Sequence, residues 1–194
     1  MADTTTSPSA DRLALAARAA GEKGLPPVHL WDPPFCGDLD MRIAVDGTWF
    51  YNGTPIGRKP LVRLFSSILK REGDDYFLVT PVEKVGITVE DAPFVAVDMT
   101  PSESSQGPVL VFTTHVGDVA QAGPEHPIRV TFAEDGTPRP YILIRGNLEA
   151  LIDRKTFYRL VDQCDTAEVD GQTWFGVHSA GTFFPMLPAA EMEA

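Results

Sequence analysis

Arginine and lysine side chains gather at two places in an otherwise acidic chain, and they offer the chemistry of anion binding. The first group holds five of the sixteen basic residues and has no acid among them: Arg58, Lys59, Arg63, Lys70 and Arg71. The second group is Arg145, Arg154, Lys155 and Arg159. Guanidinium groups grip phosphate bidentately, so the two groups could enclose a small anion. A solvated helix face with favourable charges in its last turn is the alternative explanation.

A carboxylate and an ammonium group stand side by side at Glu83-Lys84, directly after a predicted strand. Adjacent strand residues point to opposite faces, so only one of them can face a given cleft. A carboxylate there could accept a hydrogen bond from a base edge, or pair with Arg58 or Arg145. Four aromatic side chains offer flat surfaces for a base, and core packing is the alternative explanation for them: Trp49, Tyr51, Tyr76 and Tyr158.

The established nucleotide-binding and catalytic signatures are missing from the sequence. It contains no P-loop, no G-x-G-x-x-G, no H-E-x-x-H and no G-x-S-x-G. The four histidines lack metal-ligand spacing, and Cys36 and Cys164 predict neither a disulfide framework nor a metal site. We therefore predict no metal and no cofactor, and the sequence does not indicate an enzymatic activity.

A strand, a helix and a second strand position the first basic group. Pro60 is typical of a first helical turn. The apolar residues of Leu61–Leu69 recur at helical spacing. We predict a helix that continues through Arg71 and is capped by Gly73, followed by a strand at Tyr76–Val79.

A weaker copy of this unit follows later, which predicts two structurally related halves. Arg58-Lys59 returns as Arg154-Lys155, and the turn Asp46-Gly47-Thr48 returns as Asp135-Gly136-Thr137. We predict an α+β fold of two related, mostly antiparallel β units, each with a helix.

Four segments follow from this division. They are a disordered tail with a short helix (1–24), an N-terminal α+β unit with an extended Pro-rich arm (25–100), a C-terminal α+β unit (101–188) and a tail (189–194). The tail at residues 1–10 is too polar to bury a core, and the Ala-rich sequence after it predicts the helix.

Turn residues and caps give three local predictions. Prolines prevent long regular structure in the arm at 25–41, whose Leu30, Trp31 and Phe35 should anchor it onto the fold. The polar Pro/Ser/Gly stretch 101–108 predicts a loop. Asn147 is a good N-cap, so a helix should follow it, and Asp153 could cap a restart of that helix through Arg154 to Gln163.

Composition argues against some classes of partner and indicates a cellular compartment. The net charge of −11 argues against long nucleic acids. No apolar run approaches the length of a membrane helix, and the N-terminus lacks a secretory signature. Two structural thiols suit a reducing cytosol. We predict a cytoplasmic protein without membrane partners.

Several strings resemble domain-of-unknown-function family 1285, an uncharacterised bacterial family. They are Trp31-x-Pro33-Pro34-Phe35-Cys36-Gly37, Asp46-Gly47-Thr48-Trp49, Gly53-x-Pro55-Ile56-x-Arg58, Leu78-Val79-Thr80-Pro81-Val82-Glu83-Lys84 and Arg145-Gly146-x-Leu148-Glu149-Ala150-Leu151-x-x-Arg154. The resemblance implies a duplicated α+β fold whose C-terminal half is superficially like pleckstrin homology domains. It also implies a small-ligand site between the halves, for a nucleotide-like molecule in a signalling context, and no enzymatic activity.

The resemblance places six residues at this site: Trp49, Arg58, Glu83, Lys84, Arg145 and Arg154. Arg63 joins them on the charge argument alone. In this hypothesis Arg58, Arg145 and Arg154 bind an anionic or phosphate-bearing ligand. Glu83 then sets the polarity of the site, and Trp49 packs beside the ligand.

The leading hypothesis is therefore a non-catalytic protein that binds a small anionic, nucleotide-like ligand where its two units meet, with a signalling or regulatory role. The first alternative is a protein–protein interaction module that docks through the arm at residues 25–36 or through a sheet edge. The second alternative is a hydrolase of a phosphorylated small molecule, which requires converging carboxylates and a metal.

Overall fold

A computed structural model describes residues 8–21, 24–105 and 107–191 of the chain. It is 18% helix and 51% strand, which confirms the α+β class. The chain divides between Asp91 and Ala92 into two compact units, named unit 1 and unit 2 here. The disorder predicted for the tail falls mainly on residues 1–7, outside the described residues.

Among its described residues, unit 1 contains two helices, a short 3₁₀ turn at Val28–Leu30 and six strands. They are α1 (Ala10–Ala20), β1 (Phe35–Ile43), β2 (Trp49–Tyr51), β3 (Thr54–Pro55), α2 (Lys59–Ser67), β4 (Leu69–Glu72), β5 (Asp75–Val79) and β6 (Lys84–Val89). The strands form one sheet in the order β3-β2-β1-β6-β5-β4. Its central pair, β1 and β6, is parallel, and the other pairs are antiparallel. Helix α2 joins the two antiparallel halves of this sheet.

Unit 2 contains one helix, nine strands and a 3₁₀ turn at Ala189–Glu191 among its described residues. They are β7 (Phe94–Ser104), β8 (Gly107–Thr114), β9 (Val119–Gln121), β10 (Ile128–Phe132), β11 (Pro138–Arg145), β12 (Leu148–Ile152), α3 (Arg154–Val161), β13 (Asp165–Val169), β14 (Gln172–Ser179) and β15 (Thr182–Pro188). Six of these strands form a sheet in the order β10-β11-β12-β7-β8-β9. As in unit 1, the strands that come first and last in the chain, here β7 and β12, form a parallel pair at the centre of the sheet. The comparison with pleckstrin homology domains stays a prediction.

A third sheet of three strands, β13-β14-β15, completes unit 2. Ser179 connects this small sheet to the rest of unit 2 through two hydrogen bonds. The Ser179 hydroxyl accepts a hydrogen bond from the Leu110 N–H at 2.9 Å and donates one to the Ala122 carbonyl at 2.7 Å. These are buried polar groups, so each needs the partner that this hydroxyl supplies.

The two six-stranded sheets confirm the predicted duplication, but the helices do not occupy equivalent places. In unit 1, α2 connects the two antiparallel halves of the sheet, whereas α3 follows the last strand of the sheet in unit 2. The sequence match between Arg58-Lys59 and Arg154-Lys155 therefore aligns two helix starts that differ in topology. The two units resemble each other in how their strands pair, which a local sequence match does not report.

Helix α1 confirms the Ala-rich prediction. The Ser9 hydroxyl accepts a hydrogen bond from the Arg12 N–H at 3.4 Å, which gives the helix an N-cap. The helix ends at Ala20 with Gly21 as its C-cap, and it buries Leu13, Ala14 and Ala17 along one face. Leucine and alanine at helical spacing produce this face.

Helix α2 ends earlier than predicted, at Ser67. Leu69–Glu72 pairs with β5 as an antiparallel hairpin closed at Gly73, so Arg71 lies on a strand and Gly73 in a strand turn. The Ser67 hydroxyl donates to the Leu64 carbonyl at 2.6 Å, a bond that competes with helix continuation. Ile68 and Leu69 are buried as their apolar spacing indicates, although the spacing runs over two different elements.

Three other local predictions are corrected. The residues after Asn147 form strand β12 instead of a helix, because Leu148–Ile152 pairs with both β11 and β7. The predicted loop at 101–108 belongs mostly to β7 and β8, which pair as a long hairpin. The arm becomes strand β1 at Phe35, and Leu30 and Phe35 are 73% and 55% exposed, so they do not anchor it. Trp31 is half-buried, and its carbonyl accepts a hydrogen bond from Lys70 at 3.1 Å.

Candidate functional site

A cavity of about 420 Å³ lies in unit 2 beside the first turn of α3, and we name it the α3 cavity. Strands β11 and β12 supply the remaining walls. It is lined by Thr137, Pro138, Arg139, Pro140, Leu151, Ile152, Asp153, Arg154, Phe157 and Tyr158. Proline, aliphatic and aromatic side chains provide most of the surface, and two arginines provide positive charge.

Arg154 is the predicted site residue that lines this cavity. Its exposed guanidinium donates from Nε and Nη2 to the Tyr158 phenol oxygen, at 3.1 and 3.0 Å. The guanidinium carbon lies 5.6 Å from the centre of the Tyr158 ring. Residues four apart on a helix share a face, so the start of α3 itself brings these two side chains together. A neutral oxygen thus orients the arginine.

Asp153 is the acidic residue of the cavity lining, and it is engaged with the helix. Its Oδ1 accepts a hydrogen bond from the Thr156 N–H at 2.7 Å, which confirms the predicted N-cap. The lining therefore carries two positive charges, Arg139 and Arg154, against one carboxylate that already caps α3. A net positive, largely apolar cavity suits an anionic ligand with a flat hydrophobic part.

Arg58 and Arg63 lie on the surface of unit 1. Arg58 precedes α2 as its backbone N-cap residue, and its side chain is exposed. Arg63 is exposed on α2, where it borders an open depression of about 370 Å³ together with Arg18 of α1. Open depressions of this kind offer little desolvation, so they hold small ligands weakly.

Glu83 and Lys84 have different partners, as expected for adjacent residues at a strand start. The Glu83 carboxylate is buried and accepts a hydrogen bond from Arg12 of α1 at 3.1 Å. Lys84 donates to Glu72 at 2.8 Å, and its Nζ lies 4.9 Å from the centre of the Phe77 ring.

Trp49 and Arg145 are packed within their own units. Trp49 is 1% exposed and stacks on Phe65, with ring centres 6.3 Å apart. Arg145 donates to Asp118 at 2.8 Å and lies over the Phe94 ring at 4.9 Å. Burial lowers the pKa of Arg145, while the charge of Asp118 raises it. Both side chains have structural roles that their residue types alone did not reveal.

Arg139 and Tyr158 were not among the predicted site residues, although Tyr158 was named as a flat surface for a base. The signal for Tyr158 was available, because an aromatic residue four positions after Arg154 on a helix lies beside it. No local sequence signal indicated Arg139, since only the pairing of β11 with β12 places it next to α3.

The described part of the chain places no group of three or more His, Cys, Asp or Glu side chains where they could hold a metal ion. None of its helices combines the length and apolar character of a membrane span.

The Cys164 thiol should react slowly with alkylating reagents in the folded protein. Burial raises its pKa from 9.0 to about 11. At pH 8 the reactive thiolate fraction then falls about 100-fold, from roughly one tenth to roughly one thousandth. Iodoacetamide modification of a Cys36→Ser variant, followed by mass spectrometry, measures this rate. The same variant in urea is the control, and equal rates in both states would contradict the prediction.

Two family models cover most of the chain. The N-terminal domain of the domain of unknown function DUF1285 matches residues 26–92, and the C-terminal domain of the same protein of unknown function matches residues 93–186. No curated protein matches the chain.

Two crystal structures are similar to this chain, and both are of DUF1285 family proteins. The protein from Silicibacter pomeroyi DSS-3 is 58% identical, with a TM-score of 0.84, and the match covers 94% of this chain and 98% of that one. The protein from Shewanella baltica OS155 is 30% identical, with a TM-score of 0.51, and the match covers 64% of this chain and 91% of that one.

Proposed function

Because this chain belongs to the DUF1285 family, whose function is unknown, we propose a function from its own geometry. It is a cytoplasmic, non-catalytic protein that binds a small anionic, nucleotide-like ligand in the α3 cavity and has a signalling or regulatory role. The observation that carries the proposal is an exposed arginine, oriented by a tyrosine, at a cavity with a second arginine and an apolar wall. The earlier hypothesis, that the ligand binds where the two units meet, stays a prediction.

The phosphate end of the ligand is assigned to Arg154. Its guanidinium has five N–H donors, and the Tyr158 phenol oxygen engages two of its nitrogens without neutralising the charge. A phosphate can therefore accept charge-assisted hydrogen bonds without first breaking an ion pair to Arg154. Arg139 adds a second positive charge on the same lining.

The base end is assigned to the aromatic and proline surface of the cavity. Tyr158 is 56% exposed, so its ring has surface to offer, and Phe157, Pro138 and Pro140 extend this surface. Stacking of a base on an aromatic side chain contributes about 1–3 kcal/mol and tolerates different bases. The volume of about 420 Å³ falls within the range of small-molecule sites.

A thermal denaturation panel tests the proposal. The probes are ATP, GTP, cyclic mononucleotides, cyclic dinucleotides and inorganic triphosphate. A ligand at 100 times its Kd should stabilise the fold by about 2.7 kcal/mol, a shift of several degrees. A shift with a nucleotide and none with triphosphate supports the proposal. Equal shifts with every polyanion, or no shift, contradict it.

Arg154→Ala should weaken the affinity for the stabilising nucleotide about 10-fold, because it removes a charge-assisted hydrogen bond of about 1.4 kcal/mol. Isothermal titration calorimetry measures the change. Lys155→Ala is the matched control, since it removes an adjacent exposed charge that does not line the cavity. Equal losses in the two variants would indicate general charge attraction and would contradict the assignment.

The exposed arm favours a protein–protein interaction module as the second candidate. Leu25 and Leu30 are 60% and 73% exposed there, a feature typical of side chains that a partner buries. A partner that is retained on the immobilised wild-type chain, is lost with Leu30→Asp and is unaffected by Arg154→Ala would favour this candidate over ligand binding.

A further inference from the structure

We propose that unit 1 carries a second, separate binding site, for a small organic diamine. The site is a cavity of about 320 Å³ on one face of the sheet, where β1, β6 and β5 lie side by side, and we name it the β1 cavity. Its lining combines an aromatic wall with two carboxylates. The proposal does not depend on the α3 cavity, which lies in unit 2.

The lining of the β1 cavity includes a glycine at the centre of the sheet. Gly86 on β6 pairs with Asp38 on β1 and with Phe77 on β5, so the three residues form one row across the sheet. A Cβ atom on Gly86 would lie 2.1 Å from the Asp38 Oδ1. The glycine thus leaves the space into which the Asp38 carboxylate extends.

A β-bulge directs Asp38 to this face. Phe35 pairs with Lys84 and Asp38 with Gly86, so three steps on β1 match two steps on β6. Without the bulge, Phe35 and Asp38 would point to opposite faces, because side chains alternate along a strand. Gly37 supplies the positive φ of 99° within the bulge. The bulge therefore places an aromatic ring and a carboxylate on one lining.

The aromatic wall consists of Phe35 and Phe77. Their rings meet edge to face, with centres 6.1 Å apart, and Phe35 is 55% exposed. Lys84 already places its ammonium group 4.9 Å from the centre of the Phe77 ring. Aromatic faces attract organic cations, so the wall suits the hydrocarbon chain and the ammonium groups of an amine.

Two carboxylates give the cavity its charge. Within the described residues, neither the Asp38 nor the Asp75 side chain has a hydrogen bond or an ion pair. Lys84 cannot neutralise them fully, since its ammonium group is hydrogen-bonded to Glu72. Hydrogen bonds from Lys84 and Lys70 lower the pKa of Glu72, which keeps that pair charged and engaged. The region therefore has three carboxylates and only two ammonium groups: Asp38, Glu72 and Asp75 with Lys70 and Lys84.

The positions of the two carboxylates in the sheet suit a diamine. Asp75 lies two strands from Asp38, and it precedes Phe77, the β5 residue in the row of Gly86, by two residues. In an ideal sheet this separates their Cα atoms by about 12 Å. An extended five-carbon diamine, with a hydrogen bond of about 2.8 Å at each ammonium group, spans a comparable distance.

Isothermal titration calorimetry with cadaverine (1,5-diaminopentane) tests the proposal on the full chain. We expect saturable binding to the wild-type protein and none of 1,5-pentanediol, which has the same chain without charge. Asp38→Asn should weaken cadaverine binding at least 10-fold. Asp40→Asn, on the same strand but outside the cavity lining, should change it less than two-fold.

A second pair of variants guards against a folding defect in Asp38→Asn. Asp75→Asn should weaken binding at least five-fold, and its neighbour Asp74→Asn should not, although both lie by the exposed β4–β5 turn. Binding that is absent, or equal in all four variants, would overturn the proposal. Equally tight binding of Nα-acetyl-lysine methylamide would overturn the free-diamine assignment, since the site would then accept a lysine side chain.

Discussion

Trp49→Ala should lower the free energy of unfolding of unit 1 by about 3–5 kcal/mol, the range for removal of a fully buried tryptophan. Trp49 is 1% exposed on β2, and its indole stacks on Phe65 of α2 with an angle of 19° between the rings. The substitution removes the contact between sheet and helix and leaves a cavity behind. Urea denaturation monitored by circular dichroism measures the loss.

Trp31→Ala is the matched control, because Trp31 is only half-buried on the arm. Its backbone carbonyl accepts the hydrogen bond from Lys70, so that contact survives the substitution. We expect a loss less than half that of Trp49→Ala. A loss below about 1 kcal/mol for Trp49→Ala would contradict the core assignment and return Trp49 to the list of ligand-binding candidates.

Arg12→Ala should cost about 2 kcal/mol, because it leaves the Glu83 carboxylate buried without its guanidinium partner. The Glu83 side chain is 4% exposed, and Arg12 reaches it from α1 at 3.1 Å. Breaking a fully buried pair costs about 3–5 kcal/mol. Arg12 is 44% exposed, so solvent screens part of the interaction and the expected loss is smaller.

A double-mutant cycle isolates this interaction. In a Glu83→Leu background, Arg12→Ala should cost less than about 0.5 kcal/mol, since no buried charge remains to be paired. Arg18→Ala is the matched control, because Arg18 is also exposed on α1 and should change stability by less than about 0.5 kcal/mol. Equal losses for Arg12→Ala with and without Glu83 would contradict a coupled pair.

Periodicity predicted which residues are buried better than it predicted the type of element. The apolar spacing of Leu61–Leu69 indicated a helix, and its most deeply buried members are Phe65, Ile68 and Leu69. The chain nevertheless leaves the helix at Ser67, because pairing with β5 satisfies the backbone of β4. Short apolar runs such as Leu148–Ile152 fit a helix or a strand equally well, and only the neighbouring strands decide.

Long-range partners explain why the candidate site was predicted only in part. Arg154 could be found from its position at a helix start, next to a predicted cap. Glu83 pairs with a residue 71 positions away in the chain, and nothing in the local sequence indicates Arg12 as its partner. Arg139 reaches the α3 cavity through strand pairing. Residue type gave the chemistry, and tertiary structure decided which groups remain available for a ligand.

Methyl NMR of the isoleucine and leucine side chains tests ligand binding in the α3 cavity, because it reports where the ligand binds as well as whether it binds. ATP is titrated into the wild-type protein and into Arg154→Ala. We expect saturable shifts that are largest at Leu151 and Ile152, which line the α3 cavity, and much weaker shifts in the variant. Saturable shifts centred on other methyl groups, or no shifts at all, would contradict it.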